Sequence, residues 1–497
     1  MATALMWFRR DLRLADNPAL ASALRTCQRI IPIFVHAPQE HGAWSPGAAS
    51  NGWLHHSLKS LAADLAARGS RLLVRRGVSI DALAQLASQY GAGQVYWNRC
   101  YEPALRARDG AVQTALRDMG LDCFDFNGSL LYEPWELVTQ AGQPFRIFSQ
   151  FWKAFQARPP RPQPLPAPER LPAVPLDLGS LDIDDLQLLP RTPWDAFLKK
   201  TWTIGERAAA VRLEEFVTGA LRDYPAQRDR PYTLGTSRLS PHLHHGELSP
   251  RQILDAINRW QISTSTEGTL RAAETYVREL GWREFGYHLL HHFPHTPEQP
   301  LDSRFERFPW SRAYSQALKA WQRGKTGYPL VDAGMRELWA TGWMHNRVRM
   351  ITASFLVKNL RIPWLEGARW FWDTLVDADL ANNTLGWQWS AGCGADAAPY
   401  FRIFNPTLQG QRFDPQGTYV RTWVPELAAL PAQGIHQPWI GAANGSTPGG
   451  VGLGGGYPPP LVDLAESRRQ ALAAFQSIKA GPASYPPIES NDGEPNA

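Results

Sequence analysis

Short apolar runs alternate with amphipathic stretches over the first 130 residues. The runs at 5–8, 30–35, 72–74 and 94–97 are almost entirely apolar and predict buried strands. Between these runs, apolar positions recur at helical spacing and predict helices over 17–26, 50–68, 80–91 and 103–118. This order of strands and helices is typical of a parallel sheet with helices on both faces. We therefore predict an α/β domain over residues 1–130.

The pattern changes after residue 130. A proline-rich stretch between about 157 and 200 cannot sustain helix or sheet hydrogen bonding, so we predict an interdomain linker over 131–203. From 204 onward the apolar spacing is helical and strand-like runs are scarce, which predicts a helical domain over 204–480. Its last predicted helix covers 462–479, and the polar segment 481–497 is predicted to be disordered.

Composition excludes several classes of protein. The chain has 497 residues, 44% of them hydrophobic, which is too many for a disordered protein. Its formal charge of +5 is too small to indicate a nucleic-acid partner by itself. No apolar run approaches the roughly 18 to 20 residues of a membrane-spanning helix, and the N-terminus does not resemble a signal peptide. We expect a cytoplasmic protein without a membrane partner.

Histidines and cysteines raise the question of a metal site. Seven of the 13 histidines lie between residues 242 and 295, and His288 and His292 are one helical turn apart. No carboxylate-containing metal motif accompanies them, and the four cysteines have no metal-ligand spacing. We predict no metal site and expect reduced, mostly buried cysteines.

Three segments place polar side chains within otherwise apolar helices, where burial is costly unless the polar groups are used. In 276–290, Glu279, Trp282 and Arg283 share one helix face. In 343–358, Asn346 and Met350 share a face. The segment 377–404 combines aspartates, asparagines and tryptophans. Helix capping or ion pairing explains any one of these residues, but not the three segments together.

Five motifs give these segments a family resemblance. From the Trp-Phe-Arg-Arg-Asp-Leu-Arg run at 7–13 to Trp439, the chain resembles the photolyase/cryptochrome family. The motifs are Gly-Thr-Ser-Arg-Leu-Ser at 235–240, Glu-Leu-Gly-Trp-Arg-Glu-Phe at 279–285, Gly-Tyr-Pro-Leu-Val-Asp-Ala at 327–333, Gly-Trp-Met-His-Asn-Arg at 342–347 and Trp-Gln-Trp at 387–389.

The resemblance implies a Rossmann-like α/β antenna domain with a parallel five-stranded sheet, followed by an all-α domain that binds FAD. It implies that one group of residues contacts the diphosphate side of FAD: Tyr224, Thr236, Ser237, Arg238, Leu239 and Ser240. Hydroxyls and backbone N–H groups at a helix start suit an anion. It also implies that Arg349 and Asp379 lie beside the flavin, that Asp377 pairs with Arg349, and that Asn383 faces the flavin N5.

The identity of residue 383 separates two branches of the family. Plant cryptochromes typically have Asp at this position and animal cryptochromes Cys, whereas this chain has Asn. A neutral amide cannot donate a proton to N5 as a carboxylic acid can. The resemblance therefore favours repair over signalling.

The lesion-side positions agree with repair. By resemblance, Glu279, Asn346 and Met350 contact a pyrimidine dimer, and the Asn346 identity favours the cyclobutane dimer over the (6-4) lesion. Aromatic walls and phosphate contacts for DNA are implied at Trp282, Trp389, Arg228, Arg347 and Arg402. The electron-transfer tryptophans are implied at Trp387, Trp364 and Trp310, the last after a one-residue gap.

The predicted function is light-driven repair of cyclobutane pyrimidine dimers in UV-damaged DNA by a monomer, through electron transfer from reduced FAD to a flipped-out dimer. The alternatives are a cryptochrome-like blue-light photoreceptor and a non-photochemical flavoprotein. The stretch 44–54 and the segment 378–394 look most like class III photolyases, which implies methenyltetrahydrofolate as antenna. Because Ala104-Leu105 replaces the Asn-Glu pair of class I enzymes and only Glu102 is acidic there, another folate pose, a deazaflavin or an empty site stay open.

Overall fold

The computed structural model describes residues 2–159, 162–174, 178–190, 196–264, 266–397, 401–443 and 456–479. The predicted disordered tail, 481–497, lies outside these residues. The chain divides into two compact units. The first contains Met1–Pro294, Glu337–His345 and Arg369–Asn383, and the second contains His295–Arg336, Asn346–Ala368 and Thr384–Ala497. The predicted boundaries near 130 and 204 both fall inside the first unit.

A five-stranded parallel sheet forms the centre of the N-terminal part, as predicted. Its strands are β1 (Thr3–Phe8), β2 (Arg29–His36), β3 (Leu73–Arg76), β4 (Gln94–Asn98) and β5 (Asp122–Phe126). They are arranged in the order β3-β2-β1-β4-β5, with every pairing parallel. The strand order reverses between β1 and β4. In open α/β sheets, ligands bind outside the carboxyl ends of the strands at such a switch point.

Apolar packing on both faces explains why the central strands are continuous hydrophobic runs. Along β1, Ala4, Met6 and Phe8 point into one core cluster, whereas Leu5 and Trp7 point into another. Every residue of β1 is buried. Side chains alternate along a strand, so a sheet covered on both faces needs apolar residues at every position.

Strand β5 was not among the runs recognised in the sequence. It reads Asp-Cys-Phe-Asp-Phe and lies at the edge of the sheet, where Asp122 and Phe124 are exposed. An edge strand that is partly open to solvent loses the apolar continuity on which the sequence prediction relied.

The described residues form twenty α-helices. In chain order they are α1 (Pro18–Thr26), α2 (Ala48–Ala67), α3 (Ser79–Tyr90), α4 (Pro103–Asp118), α5 (Phe148–Gln156), α6 (Ala196–Thr201), α7 (Glu206–Glu215), α8 (Tyr224–Gln227), α9 (Ser240–His244), α10 (Pro250–Thr264), α11 (Glu267–His292), α12 (Ser315–Gln322), α13 (Pro329–Thr341), α14 (Asn346–Ser354), α15 (Trp364–Thr374), α16 (Leu380–Ala391), α17 (Pro406–Phe413), α18 (Thr418–Trp423), α19 (Pro438–Ala443) and α20 (Leu464–Lys479).

The segment predicted as a linker contains regular structure. Helix α5 lies within it and buries Phe148, Phe151, Trp152 and Phe155 on one face. The proline-rich part that follows, by contrast, is irregular over most of its described length. The aromatic content of 148–155 is the signal that marks α5, because aromatic residues at helical spacing indicate a buried face.

A buried aspartate organises part of the second unit. One carboxylate oxygen of Asp332 accepts hydrogen bonds from the Thr326 amide and hydroxyl, both at 2.7 Å. The other accepts from the Gly327 amide at 3.0 Å and from the Tyr457 hydroxyl at 2.6 Å. These donors satisfy a carboxylate that is fully buried, which would otherwise be strongly destabilising.

The sequence also predicts that the chain has no membrane-spanning helix and no metal site. None of the helices in the described ranges is long and apolar enough to cross a membrane. Within the same ranges, no group of three or more His, Cys, Asp or Glu side chains is arranged to hold a metal ion. All four cysteines are free and buried.

The pair His288 and His292, which suggested a metal, has a structural role instead. The Nε2 atom of His288 accepts a hydrogen bond from the Phe145 amide at 2.9 Å, and its Nδ1 lies 3.1 Å from the Pro134 carbonyl oxygen. An imidazole that accepts a backbone N–H at Nε2 must be neutral, with its proton on Nδ1. Burial, assisted by the neighbouring His292, lowers the pKa of His288 to about 4.

We predict that acid destabilises the protein partly through His288. The folded-state pKa lies below the unfolded value, so the unfolded chain binds more protons and the free energy of unfolding falls as the pH decreases. Between about pH 7 and about pH 5 the loss attributable to this residue is about 2 kcal/mol. His288→Gln keeps both hydrogen bonds without a titrating ring, so its thermal midpoint should depend less on pH. Equal pH dependence in the variant and the wild type contradicts this assignment.

Candidate functional site

An ion pair joins two of the predicted site residues in the first unit. The Arg228 Nη1 atom lies 2.7 Å from the Glu279 Oε1 atom, and both side chains are about one-quarter to one-third exposed. The Arg228 guanidinium also lies over the Tyr224 ring, 5.4 Å from its centroid. The family resemblance implies a phosphate contact at Arg228 and a base contact at Glu279. The structure places the two side chains together, Arg228 directly after the end of α8 and Glu279 on the exposed side of α11.

Packing fixes the orientation of Trp282, which follows Glu279 by three residues on α11. Its indole stacks on Phe148 with ring centroids 3.6 Å apart and an interplanar angle of 8°. The preceding residue is Gly281, where a Cβ atom would lie 2.5 Å from the Trp152 ring. Glycine therefore lets α11 approach the aromatic face of α5. One face of Trp282 is fixed by packing, and the side chain remains partly exposed.

The segment 236–240 presents hydroxyl groups just before the short helix α9. The Ser240 hydroxyl donates to the Asp377 carboxylate at 2.6 Å, and the Tyr276 hydroxyl donates to Ser237 at 2.8 Å. Leu239 is buried and anchors the segment in an apolar cluster, whereas Thr236 is half-buried. The hydroxyls and their partners make a polar lining on a rigid support.

Arg238 has a different environment from its neighbours. Its backbone is left-handed, with φ of 53°, which is uncommon for a residue other than glycine. Its guanidinium lies between two indoles, 4.8 Å from the Trp202 centroid and 4.6 Å from the Trp343 centroid. This stacking gives the side chain a packing role. The turned backbone is the part of Arg238 that can face a ligand.

Asp379 is a buried carboxylate at the N-terminus of α16. One oxygen accepts from the Asn382 amide at 2.9 Å and from its side chain at 2.6 Å, and the other accepts from the Tyr287 hydroxyl. Burial opposes ionisation, but His244, Arg283 and the tyrosine outweigh it and hold the pKa of Asp379 below its ordinary value. Asp379 is therefore charged. Asn383 lies in the first turn of α16, and its amide donates to the Asp379 carbonyl at 2.8 Å.

In the second unit, Asn346 begins α14 and Met350 follows one turn later. The Asn346 side-chain nitrogen lies 4.0 Å from the Met350 sulfur. Asn346 is exposed and Met350 half-buried, so both side chains border open space. Arg347 lies over the Phe413 ring at 4.5 Å, and Arg349 is half-buried on the same helix.

Tryptophans of the second unit differ in their exposure. Trp387 is buried and packs edge-on against Trp321, with ring centroids 6.2 Å apart. A Cβ atom at Gly367 would lie 2.0 Å from the Trp387 ring, so only glycine fits there. Trp364 is buried at the start of α15. Trp310 is half-buried, 4.4 Å from the Phe308 ring, and is the most exposed of the three predicted members.

Trp389 and Arg402 line a small cavity that contains a lysine not predicted from the sequence. Lys358 is buried, donates to the Ala391 carbonyl at 2.7 Å and lies 3.0 Å from the Phe401 ring centroid. Burial lowers the pKa of Lys358 well below its ordinary value. The signal in the sequence is a lysine within the apolar run 355–360, in a π-helical turn.

A second and larger cavity lies at the switch point of the sheet. It has an empty volume of about 690 Å³, part of it open to solvent. Trp7 and Arg9 reach it from the end of β1, and Cys100 from the segment after β4. The Trp7 indole is stacked between Arg9 and Arg108, 4.6 and 4.8 Å from their guanidinium carbons. Indole faces and guanidinium groups together suit an aromatic anion.

The predicted residues thus separate by unit. The structure places the Glu279 group, the 236–240 segment and the two aspartates just before α16 in the first unit. It gathers the α14 residues, the predicted tryptophan chain, Trp389 and Arg402 in the second. Sequence reasoning assigned no role to Tyr287, His244 and Lys358, all of which are buried polar side chains.

Comparison with known proteins shows the family to which these residues belong. A family model described as DNA photolyase matches residues 4–169, and one described as the FAD binding domain of DNA photolyase matches 276–477. The deoxyribodipyrimidine photo-lyase of Agrobacterium fabrum is 44% identical and covers 96% of this chain and 98% of its own length. Cryptochrome-1 of Arabidopsis thaliana is 38% identical over 99% of this chain and 73% of its own.

The fold of the chain is also similar to that of a solved structure. A bacterial class III photolyase from Agrobacterium tumefaciens superimposes with a TM-score of 0.91 at 43% identity, covering 97% of this chain and 98% of that one. The five-stranded sheet and the helical FAD-binding region predicted from the sequence are confirmed. The chain belongs to the photolyase/cryptochrome family.

Proposed function

We propose that this protein repairs cyclobutane pyrimidine dimers in UV-damaged DNA, using light and a bound FAD. When bound, FAD would supply the light-driven one-electron chemistry that opens both cyclobutane bonds, and the 236–240 segment, Asp379 and Asn383 would hold it. The chain's own residues bind the lesion, orient it and stabilise its charge.

One observation carries the proposal: a partly exposed carboxylate, Glu279, lies beside a cation and an indole on one surface of the first unit. The carboxylate and the indole are spaced three residues apart on α11, so they face the same side. A pyrimidine base offers N–H groups to the acid and an aromatic face to Trp282. Stacking of a base on an aromatic side chain contributes about 1–3 kcal/mol.

The residues present fit FAD. The hydroxyls of 236–240 and the turned backbone at Arg238 suit a diphosphate. The buried, charged carboxylate of Asp379 suits a ring N–H donor, and the neutral amide of Asn383 suits a flavin nitrogen that does not need a proton donor. We assign the flavin contacts to these residues, together with Tyr224, Asp377 and Arg349.

On the lesion side, each residue has a separate task. Glu279 accepts hydrogen bonds from a base edge, and through them stabilises the pyrimidine as charge arrives. Asn346 offers both a donor and an acceptor, and Met350 offers a polarisable apolar surface. Trp282 and Trp389 form aromatic walls for the flipped bases.

The remaining predicted residues serve DNA affinity and reduction. Arg228, Arg347 and Arg402 bind phosphates without regard to sequence, and Arg402 is already exposed. Trp387, Trp364 and Trp310 form the relay that brings electrons to the flavin, with the buried ring innermost and the half-buried ring outermost. That the protein acts as a monomer stays a prediction.

We assign the cavity at the switch point to an antenna chromophore of the folate type, methenyltetrahydrofolate. Pro46, Ser50 and Leu54 line it, so the 44–54 stretch that suggested this antenna does contribute. Glu102 forms an ion pair with Arg10 instead of standing free. The indole N–H of Trp7 is buried without a hydrogen-bond partner among the described residues, which leaves a donor for a ligand.

We predict that Glu279→Ala slows repair. Loss of one hydrogen bond to the base corresponds to about 0.5–1.5 kcal/mol, or about a 2- to 10-fold lower yield of repair per absorbed photon. The measurement is loss of thymine dimers from an oligonucleotide under blue light, with photoreduced holoprotein and a dark control. Glu274→Ala, an exposed position on the same helix, should repair normally. Photoreducible FAD in the wild type without any repair would favour the photoreceptor alternative.

Arg228→Gln tests the phosphate contact. If Arg228 leaves Glu279 to bind a phosphate, the variant should bind a dimer-containing duplex more weakly. The slope of log affinity against log salt concentration should then fall by about 0.9, the contribution of one phosphate. Fluorescence anisotropy over a salt series provides the slope. Arg259→Gln, which removes an exposed arginine on α10, serves as the control. An unchanged slope in Arg228→Gln rejects the phosphate role.

The antenna assignment predicts that Leu105→Trp abolishes folate binding. Leu105 lines the cavity, and an indole there fills the space that the ligand requires. Methenyltetrahydrofolate should bind the wild-type holoprotein and transfer excitation to the flavin, which fluorescence measures directly. Val211→Trp adds an indole at an exposed position and should bind normally. Normal binding by Leu105→Trp would place the folate elsewhere.

A further inference from the structure

His244 separates the switch-point cavity from the carboxylate of Asp379. Its ring lines the cavity together with Arg10 and His41. On its other side, the His244 Nδ1 atom lies 4.0 Å from the Asp379 Oδ2 atom, and the histidine side chain is only 5% exposed. This distance is too long for a hydrogen bond with a neutral ring, but it is an ion-pair distance if the ring is protonated. Nδ1 has no hydrogen-bond partner among the described residues.

The charges around His244 are finely opposed. Burial has the largest effect and holds the pKa of His244 below its ordinary value; the cation of Arg10 lowers it further, while the Asp379 carboxylate raises it. Glu102, which pairs with Arg10, also raises it. The ring of His245 lies 4.7 Å away at right angles, and that histidine is kept neutral because burial holds its pKa well below the ordinary value.

On the side away from His244, the Asp379 carboxylate faces Tyr287 and Arg283. Asp379 accepts from the Tyr287 hydroxyl, and Arg283 lies 4.8 Å from the Tyr287 ring centroid. Burial raises the pKa of Tyr287 well above its ordinary value, so it stays a donor. Of the groups facing Asp379, His244 is therefore the one whose charge can change when its surroundings change.

We propose that His244 couples ligand binding in the switch-point cavity to the charge beside the flavin, as a positioning residue for Asp379. An anionic ligand that pairs with Arg10 removes the repulsion felt by the imidazole. His244 then takes up a proton from solvent and forms an ion pair with Asp379. This inference rests on the proposed roles of Asp379 at the flavin and of the cavity as a folate site.

Linkage turns this arrangement into a measurable effect. An imidazolium at this place favours negative charge on the neighbouring flavin, so the ligand should bind the reduced holoprotein more tightly than the oxidised one. By reciprocity, the ligand should raise the reduction potential of the flavin by the same free energy. A tenfold ratio of dissociation constants corresponds to about 30 mV for a two-electron couple.

The test measures the dissociation constant of methenyltetrahydrofolate for oxidised and chemically reduced holoprotein in the dark. We expect about tenfold tighter binding to the reduced wild type, within the usual range of coupling between sites. In His244→Gln the ratio should fall to about one. His41→Gln changes another cavity histidine that does not face Asp379, so its ratio should stay at the wild-type value even if its affinity changes.

Two variants of Arg10 and a measurement of the flavin potential without ligand test the proposal further. In Arg10→Gln the two dissociation constants should become equal, whereas in Arg10→Lys their ratio should stay at the wild-type value. The reason is that the coupling requires a cation at this position and not the shape of the guanidinium group. Without any ligand, the flavin potential of the wild type should rise relative to His244→Gln as the pH decreases and the ring becomes protonated.

Failure of the antenna assignment and failure of the His244 proposal give different results. A wild type that binds no folate rejects the antenna assignment, and the ligand-free potentials then decide the role of His244 alone. Identical potentials of wild type and His244→Gln across the acid range overturn the inference. A tenfold ratio that persists in both His244→Gln and Arg10→Gln overturns it as well.

Discussion

The arrangement of the first unit depends on keeping one carboxylate charged inside the protein. A buried carboxylate is costly unless donors and cations surround it. Asp379 obtains its hydrogen-bond donors from α16 itself and from Tyr287 on α11, and the His244 ring on α9 lies at ion-pair distance from it. Satisfying one charge therefore fixes the relative position of three helices. The same requirement places the 236–240 segment, since α9 begins where that segment ends.

The switch point of the sheet imposes a second requirement on the same elements. The change of strand order leaves a crevice beyond the carboxyl ends of β1 and β4, and His244 and His245 at the end of α9 line one side of it. Behind them, Glu247 accepts from Trp53 at 2.9 Å and lies 2.5 Å from His242, so this wall is itself a buried polar network. Hydrogen bonds between buried groups restrain the side chains that make them. The cavity and the Asp379 carboxylate thus share one restrained partition.

Sequence reasoning found the parts of the protein that follow from periodicity and from motifs. The four apolar strands and the helices between them follow from alternation along the chain, and the residues on α11 follow from helical spacing. Strand β5 escaped because an edge strand is only half apolar. The Arg228–Glu279 ion pair and the stacking of Arg238 between indoles could not be predicted, because both join residues distant in sequence whose side chains meet only after folding. His244 was seen as one of several clustered histidines, without its partner.

Trp387 rests directly on the bare α-carbon of Gly367, with no space for another atom. An indole packed this closely has one orientation and little freedom to rock or shift. For a side chain assigned to carry electrons, immobility has a kinetic meaning. When a side chain gains or loses an electron, the atoms around it shift to new positions. Tight packing limits these shifts and so lowers the energy that they cost. In the proposed relay, the missing methyl group of Gly367 would therefore keep the reorganisation energy small.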